Sequence, residues 1–451
     1  MKKREHVIKP ILNHHYPTIQ YGKGIYLYDD QGKVYIDGCS GAVTAGIGHG
    51  VQEIVDAMME QASKVSFVYR SQFTSEPAEQ LAEKLSDLAP GHDYWTFFVN
   101  SGSEATETAM KIAIQHWQEK GRQGKNKVIS RRMSYHGITM GALSMSGHVL
   151  RRRRFVPLLE DFPVVAPPYC YRCPLGKDHA SCGMACAEDL ATAIKRIGAE
   201  HIAAFIAEPI IGAAGGAIVP PDGYYRRIKD ICEQHDILFI ADEVMTGIGR
   251  TGAMFGMEHY GVEPDLIALG KGMSAGYTPI AATLVKEHVM APMLNGSKSI
   301  MAGHTYSANP QSAAVSLAVL GFIEQNQLVK AAEVKGLYLL AKLQEMAKGV
   351  AIIGDVRGKG LLLAIEFVAE RSNKQMFPAG TSVTSCVIEN AFQKGLLVYP
   401  AAGAVDGAGD AIIIAPPLVI SEAEIDQLVL ILEASIREIM AEVIEAPLEE
   451  I

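Results

Sequence analysis

Lys271 ends the apolar run of "PDLIALGKGMSAGY" (264–277), with Gly270 and Gly272 on either side. The run reads as a short buried strand, and open parallel sheets bind ligands in the crevice outside their strand ends. A lysine placed there has the chemistry of an amine nucleophile. The plainer alternative is a surface lysine whose stem lies along apolar neighbours. Asp242 and Glu243 close another apolar run, "LFIADEV"; an acid at that strand's carboxyl end can serve the same pocket, or act as a helix cap or surface ion pair. In "NSGSEATETAM", Ser101 and Glu104 form a capping box. The free N–H groups and positive dipole at such a helix start hold anions, although Glu104 and Glu107 compete for the same dipole. Tyr135 and His136 stand beside a glycine in "SYHGITMGALSMSGH", which offers an aromatic surface to a flat ring, or an ordinary turn. "GIGRTG" (Gly247, Gly249, Gly252), with Asp265 behind it, has the dinucleotide-binding spacing. However, "DEVMT" separates its glycines from the strand, and "AMFGMEHYGVEPD" is too broken for the long helix that a Rossmann turn opens.

The elements that must position these groups alternate along the chain. "DYWTFFVNSGSEATETAMKIAIQHWQEKG" reads strand, turn, helix, and "HIAAFIAEPIIG", "DILFIADEV" and "PDLIALGKG" are further short apolar runs. Helical spacing in "YYRRIKDICEQH" separates the first two, which is βαβ logic and predicts a mostly parallel sheet covered by helices. The two ends differ: "GIYLYDDQGKVYID" reads as a hairpin turning at "DDQG", and Ser421 with Glu424 caps the helical "IDQLVLILEASIREIMAEVIE". The fold class is therefore α/β, with a large central domain over 66–315 and a smaller α+β domain from the two ends, 1–65 and 316–451. The chain is 48% hydrophobic and 20% charged, as expected of a soluble globular protein. A net charge of −9 gives no reason to expect a nucleic acid or an anionic membrane as partner. No apolar stretch reaches membrane-spanning length, and the basic start "MKKREHVIKP" lacks the apolar region of a signal peptide. Seven cysteines without such a signal point to free thiols and a cytoplasmic location.

Taken together, the pieces resemble the class III pyridoxal-phosphate-dependent aminotransferases, of fold type I. "SGSEA", "YHG", "AEPIIG", "DEVMTGIGRTG", "LGKG" and "HTYSANP" fall in that family's order, and the resemblance runs from about residue 20 to 440. It implies a mostly parallel seven-stranded sheet and pyridoxal 5'-phosphate as cofactor. Lys271 then resembles the residue that forms the internal aldimine, and Asp242 the partner of the pyridine nitrogen. Val244 and Tyr135 resemble the residues packed on the two faces of the ring, and Gly102 and Ser103 the phosphate contacts. Glu208 would lie near cofactor or substrate, and His136, Met245 and His304 belong to the same cofactor-binding set. Thr305 resembles the residue that reaches the phosphate from a neighbouring subunit, which implies a homodimer with shared active sites. The chemistry is consistent with these roles. An ionised Asp242 keeps the ring nitrogen protonated, and Schiff-base formation removes the charge that makes a buried lysine costly. Gly270 and Gly272 would leave room for exchange at the lysine.

Departures from the family pattern bear on substrate. The acetylornithine branch grips a carboxylate with an arginine three residues after the aromatic; here that residue is Ile138. Many members carry an arginine a few residues before the C-terminal "PPL"; here the stretch 401–420 contains none. Without those bidentate partners an α-carboxylate is poorly held, which favours ω-amine or terminal-amine donors. A 2-oxo acid acceptor (pyruvate or 2-oxoglutarate) still needs a cation, and Arg70 or one of Arg151 to Arg154 is the candidate. Met245 stands where many relatives have glutamine. Cys170, Cys173, Cys182 and Cys186 have spacing compatible with a structural zinc, with His179 as a further candidate ligand. Transamination asks for no metal, and none is assigned. "RRRR" at 151–154 reads as a solvated face. The reading is an aminotransferase; a decarboxylase or aminomutase of the same fold, a cofactor-holding regulator and a dinucleotide-binding oxidoreductase are the alternatives.

Overall fold

The computed structural model describes residues 6–12, 14–378, 380–403 and 407–445. Its central sheet has seven strands, in the order Tyr94–Val99, Ala281–Lys286, Leu266–Leu269, Leu238–Asp242, Ile202–Ala207, Lys127–Arg131 and Val164–Val165. Ala281–Lys286 runs antiparallel to both its neighbours, and the remaining pairs are parallel. Every residue of the Ile202–Ala207, Leu238–Asp242 and Leu266–Leu269 strands is buried. That explains their continuous apolar runs: helices cover both faces, so neither side of the strand meets water. Ala204, Ile206, Leu238 and Ile240 pack with Ile112 and Trp117 of helix Gly102–Glu119. Their alternate neighbours Phe205, Ala207, Phe239 and Ala241 pack with Leu190 and Ile228, from helices Ala185–Ile197 and Tyr224–Gln234.

The two chain ends fold together. Ile19–Lys23, Tyr26–Asp29 and Val34–Asp37 form an antiparallel meander, and Leu396–Leu397 adds to it in parallel beside Ile36 and Asp37. The "DDQG" turn forms as predicted. Asp29 Oδ1 accepts from the backbone N–H of Gln31 (3.0 Å) and Lys33 (2.8 Å), and Gly32 takes φ +81°. A second antiparallel sheet runs in the order Ile353–Lys359, Leu362–Phe367, Asp410–Ile414, Tyr399–Ala402. Helix Glu422–Glu445 starts at the expected capping box: Ser421 Oγ accepts from Glu424 N (3.3 Å), and Glu424 Oε2 from Ser421 N (2.7 Å). One apolar cluster joins Ile25 and Ile54 to Leu269, Val319, Leu363 and Leu428, from both ends and the centre of the chain. The division drawn at 315/316 falls inside helix Pro310–Gln325.

Glu366, buried in strand Leu362–Phe367, ties this second sheet to the cysteine-bearing segment. It accepts from Arg357 Nη1 (2.7 Å), Arg172 Nε (2.7 Å) and the Tyr169 hydroxyl. The cysteines are free thiols, and among the described residues no three His, Cys, Asp or Glu side chains converge as metal ligands. No described helix is long and apolar enough to cross a membrane.

Candidate active site

The parallel strands end on one side of the sheet, and the residues just beyond them form the site. Ser101 and Gly102 follow the Tyr94–Val99 strand, Tyr135 and His136 follow Lys127–Arg131, and Glu208 follows Ile202–Ala207. Asp242 is the last residue of its strand, and Lys271 stands two residues past Leu269. This is the crevice that a doubly wound sheet offers to ligands.

Lys271 opens a tight turn, Lys271–Met273, with a left-handed backbone (φ +40°), a conformation uncommon outside glycine. Burial pushes its amine down to about 8; the charges of Asp242 and Glu208 oppose the shift, and those of Arg151 and Arg250 add to it. The flanking glycines have packed neighbours, closer at Gly272 than at Gly270. A Cβ on Gly270 would meet Val244 Cγ1 at 3.4 Å and Ala281 Cβ at 3.6 Å, and one on Gly272 would meet Ile248 Cβ at 3.3 Å.

Asp242 is buried and held at both oxygens. Oδ2 lies 2.7 Å from His136 Nδ1, and Oδ1 accepts from the backbone N–H of Val244 at 3.1 Å. An ionised carboxylate only accepts, so its hydrogen bond to His136 puts a proton on Nδ1. His136 is fixed through its own backbone: its N–H donates to Ser146 Oγ (2.8 Å), and its carbonyl accepts from Thr106 Oγ1 (2.6 Å). Glu243, the other acid of the pair, turns to the opposite side and accepts from the N–H groups of Gly256 (2.9 Å) and Met257 (2.8 Å). It is a structural brace.

Glu208 is buried, and burial lifts its carboxyl to about 7, against the charges of His136 and Arg131. Arg131, which the sequence reading missed, is wholly buried. It donates to Tyr225 Oη (2.9 Å) and the Glu208 carbonyl (2.7 Å), and Nη2 lies 3.7 Å from Glu208 Oε2. Its signal in the sequence was a cation closing the buried run "VISR". Val244 packs under the start of helix Gly102–Glu119: a Cβ on Gly102 would lie 2.7 Å from its Cγ1. Ser101 Oγ accepts from Glu104 N (3.3 Å), but Glu104 reaches past the cap to the Asn100 N–H (2.7 Å). Glu107 pairs with Lys111 (3.4 Å) and the Thr139 hydroxyl, so both acids have protein partners of their own. Ser103 Oγ accepts from Ile138 N (3.0 Å), and Gly137 packs on Ser103. Met245 sits with Val43 and Tyr399 in an apolar cluster, its sulfur against Gly212.

The structure thus brings together Lys271, Asp242, His136, Glu208, Val244, Gly102, Ser103 and Tyr135. His304 lies 3.7 Å from Glu104, whereas Thr305 is exposed in the 300–309 segment. Arg151 lies over the Tyr135 ring, 4.6 Å from its centroid. Arg152 donates to the carbonyls of Ser144 (3.0 Å) and Ser146 (2.6 Å), and Arg70 to that of Ala302 (2.6 Å). Residues 404–406 of the arginine-free stretch lie outside the described residues. The dinucleotide alternative fails here. No helix opens on "GIGRTG", whose Arg250 is buried against the carbonyls of Pro416 (2.6 Å) and Leu361 (3.1 Å). Asp265 lies at the entry of its strand, with Lys229 at 2.9 Å, away from the crevice.

Pyridoxal phosphate fits these residues. Two buried polar atoms, His136 Nε2 and Glu208 Oε2, lack a hydrogen-bond partner, and such atoms belong where a ligand or water completes them. A helix start supplies N–H groups for a phosphate, Val244 and Tyr135 supply apolar and aromatic surface, and Lys271 supplies an amine.

The sequence profile of the class III aminotransferases matches residues 11–436. The uncharacterized aminotransferase YodT of Bacillus subtilis (strain 168) is 52% identical over 432 residues, covering 96% of this chain and 97% of that one. The putrescine–pyruvate aminotransferase of Pseudomonas aeruginosa is 35% identical over 419 residues, covering 91% of this chain and 88% of its own. The crystal structure of the omega transaminase of Pseudomonas jessenii in complex with PMP superposes with a TM-score of 0.90 at 35% identity, covering 96% of this chain and 94% of that one. The chain belongs to the class III aminotransferases.

Proposed function

We propose that the protein uses pyridoxal 5'-phosphate to move an amino group from an ω-amine or terminal-amine donor to a 2-oxo acid such as pyruvate or 2-oxoglutarate. The observation that carries this reading is the Lys271 amine beside two buried carboxyl groups at the strand ends, with its basicity lowered by burial to about 8. When bound, the cofactor supplies the electron sink for a carbanion at the donor carbon. Asp242 would hold the protonated ring nitrogen, oriented by His136. Lys271, neutral above about pH 8, would take the proton from the donor carbon and return it. Val244 and Tyr135 would hold the ring flat, and Gly102 and Ser103 would meet the phosphate.

The donor class rests on the residues that stand where relatives carry carboxylate-binding arginines. Val43, Met245, Tyr399 and Ala401 form one apolar cluster, and Ile138, exposed to 49%, stands where an arginine would grip a carboxylate. The putrescine–pyruvate relative and the omega-transaminase neighbour support the same donors. Thr305, exposed in the single chain, supports a homodimer whose sites are completed by the partner. The free thiols support a cytoplasmic setting.

The test compares single-turnover bleaching of the bound chromophore by putrescine and β-alanine with bleaching by Nδ-acetylornithine, an α-amino acid whose only free amine is the α-amine. We expect the donors without an α-carboxylate to be faster. Equal or faster bleaching by the α-amino acid overturns the donor assignment.

A further inference from the structure

A 2-oxo acid brings a carboxylate into a crevice that already holds Asp242 and Glu208, so a cation must receive it. Most guanidinium groups around the site are committed. Arg131 is engaged with Tyr225 and Glu208, Arg152 with the carbonyls of Ser144 and Ser146, and Arg250 with those of Leu361 and Pro416. Arg357 and Arg172 pair with Glu366, and Arg70 is held by the Ala302 carbonyl and the Phe97 ring.

Arg151 differs. It is exposed, and its described side-chain contacts are with Tyr135 alone: the ring face at 4.6 Å and a hydrogen bond to the hydroxyl. A cation–π contact holds a guanidinium in place without neutralising it. Tyr135 follows the strand end beside His136, so this charge stands at the lip of the cofactor crevice, and it is felt at Lys271. The nearby His148 adds no competing charge, because burial and Arg151 push it down to about 4. Gly407 lies against Leu150, with a built Cβ 3.5 Å from Leu150 Cγ, which brings the C-terminal segment beside the short helix Val149–Arg152 that carries Arg151.

We propose that Arg151 is the specificity residue that receives the carboxylate of the 2-oxo acid acceptor, moving from the face of Tyr135 to a two-pronged contact with the substrate. The inference rests on the aminotransferase reading above and adds the acceptor subsite to it. A planar guanidinium suits a carboxylate through two parallel N–H donors, and stacking on the aromatic in the meantime keeps it near the pocket when the donor carries no carboxylate.

The test uses the cofactor-loaded enzyme with putrescine as donor, and compares wild type with Arg151→Gln and Arg151→Lys. Two quantities are read: KM for pyruvate and for 2-oxoglutarate, and the Kd of the unreactive carboxylates propanoate and glutarate by calorimetry. For Arg151→Gln we expect both to rise about ten- to a hundredfold, as for loss of a charged hydrogen-bond pair. Arg151→Lys, which keeps the charge without the fork, should lose less. Should Arg151→Gln not load the cofactor, Arg151→Lys decides by a rise of more than about threefold in both quantities. Values within about twofold of wild type, with acceptor turnover intact, overturn this inference alone. If the wild type turns over with no 2-oxo acid at all, the reading beneath it falls as well.

Discussion

Asp242 is a carboxylate whose two oxygens are both spoken for within the protein, by His136 and by the Val244 N–H. An asparagine keeps that shape and loses the charge. Asp242→Asn should therefore leave the circular dichroism unchanged and lower kcat at least about a hundredfold, the scale of losing one preorganised electrostatic partner in a water-poor site. A variant at wild-type speed would make the residue structural only. Lys271 gives a pH prediction. Its amine is charged below and neutral above about 8, against 10.5 for a lysine in water. Attack on the cofactor's aldehyde needs the neutral form, so the rate of pyridoxal-phosphate uptake by cofactor-free protein should rise with pH through about 8 and then level. A rise continuing to the range of an ordinary lysine would mean that the amine is solvated. These two residues were legible because each ends a continuous apolar run with a charge, a combination that burial makes costly without a purpose. Arg131 has the same signature in "VISRRM" but lies outside the motifs that the sequence analysis weighed.

Helix Gly102–Glu119 shows how an element prepares a site before any ligand arrives. The predicted capping box is half right. Ser101 caps the helix, but Glu104 satisfies the Asn100 N–H one residue earlier and lies 3.7 Å from His304. Periodicity cannot reveal such a shift, because it depends on where the preceding strand delivers the chain. Gly102 is required by contact: a methyl group there would lie 2.7 Å from Val244 Cγ1. Gly102→Ala should cost about 1–3 kcal/mol through overpacking and weaken cofactor binding. Adding Val244→Ala should recover part of both losses, read as a coupling in a double-mutant cycle of denaturation midpoints and cofactor Kd. Strict additivity would show that the two residues do not share the space. The "GIGRTG" segment teaches the reverse lesson. Its spacing imitates a phosphate loop, yet no helix follows, and its arginine clamps the carbonyls of Leu361 and Pro416.

Across the whole molecule, the buried parallel strands were legible because helices cover both faces and leave an unbroken apolar run on each strand. The pairing of Leu396–Leu397 with Ile36 and Asp37 was not, since a two-residue strand carries no period and its partner is far away in sequence. The division of labour between subunits is likewise absent from one chain's contacts. On the shared-site reading, Lys271 and Thr305 of one site come from different subunits. A Lys271→Ala chain mixed with a Thr305→Asp chain would then regenerate one intact site per mixed dimer, about a quarter of wild-type activity at random pairing. No recovery would place Thr305 in its own chain's site. The measurement that reaches the central claim most directly is the absorption of the cofactor-loaded protein through both halves of the reaction. We expect putrescine to bleach the band near the visible, pyruvate or 2-oxoglutarate to restore it, and Lys271→Ala to bind the cofactor without turning over. A band untouched by any amine, or a Lys271→Ala enzyme near wild-type turnover, would contradict the account.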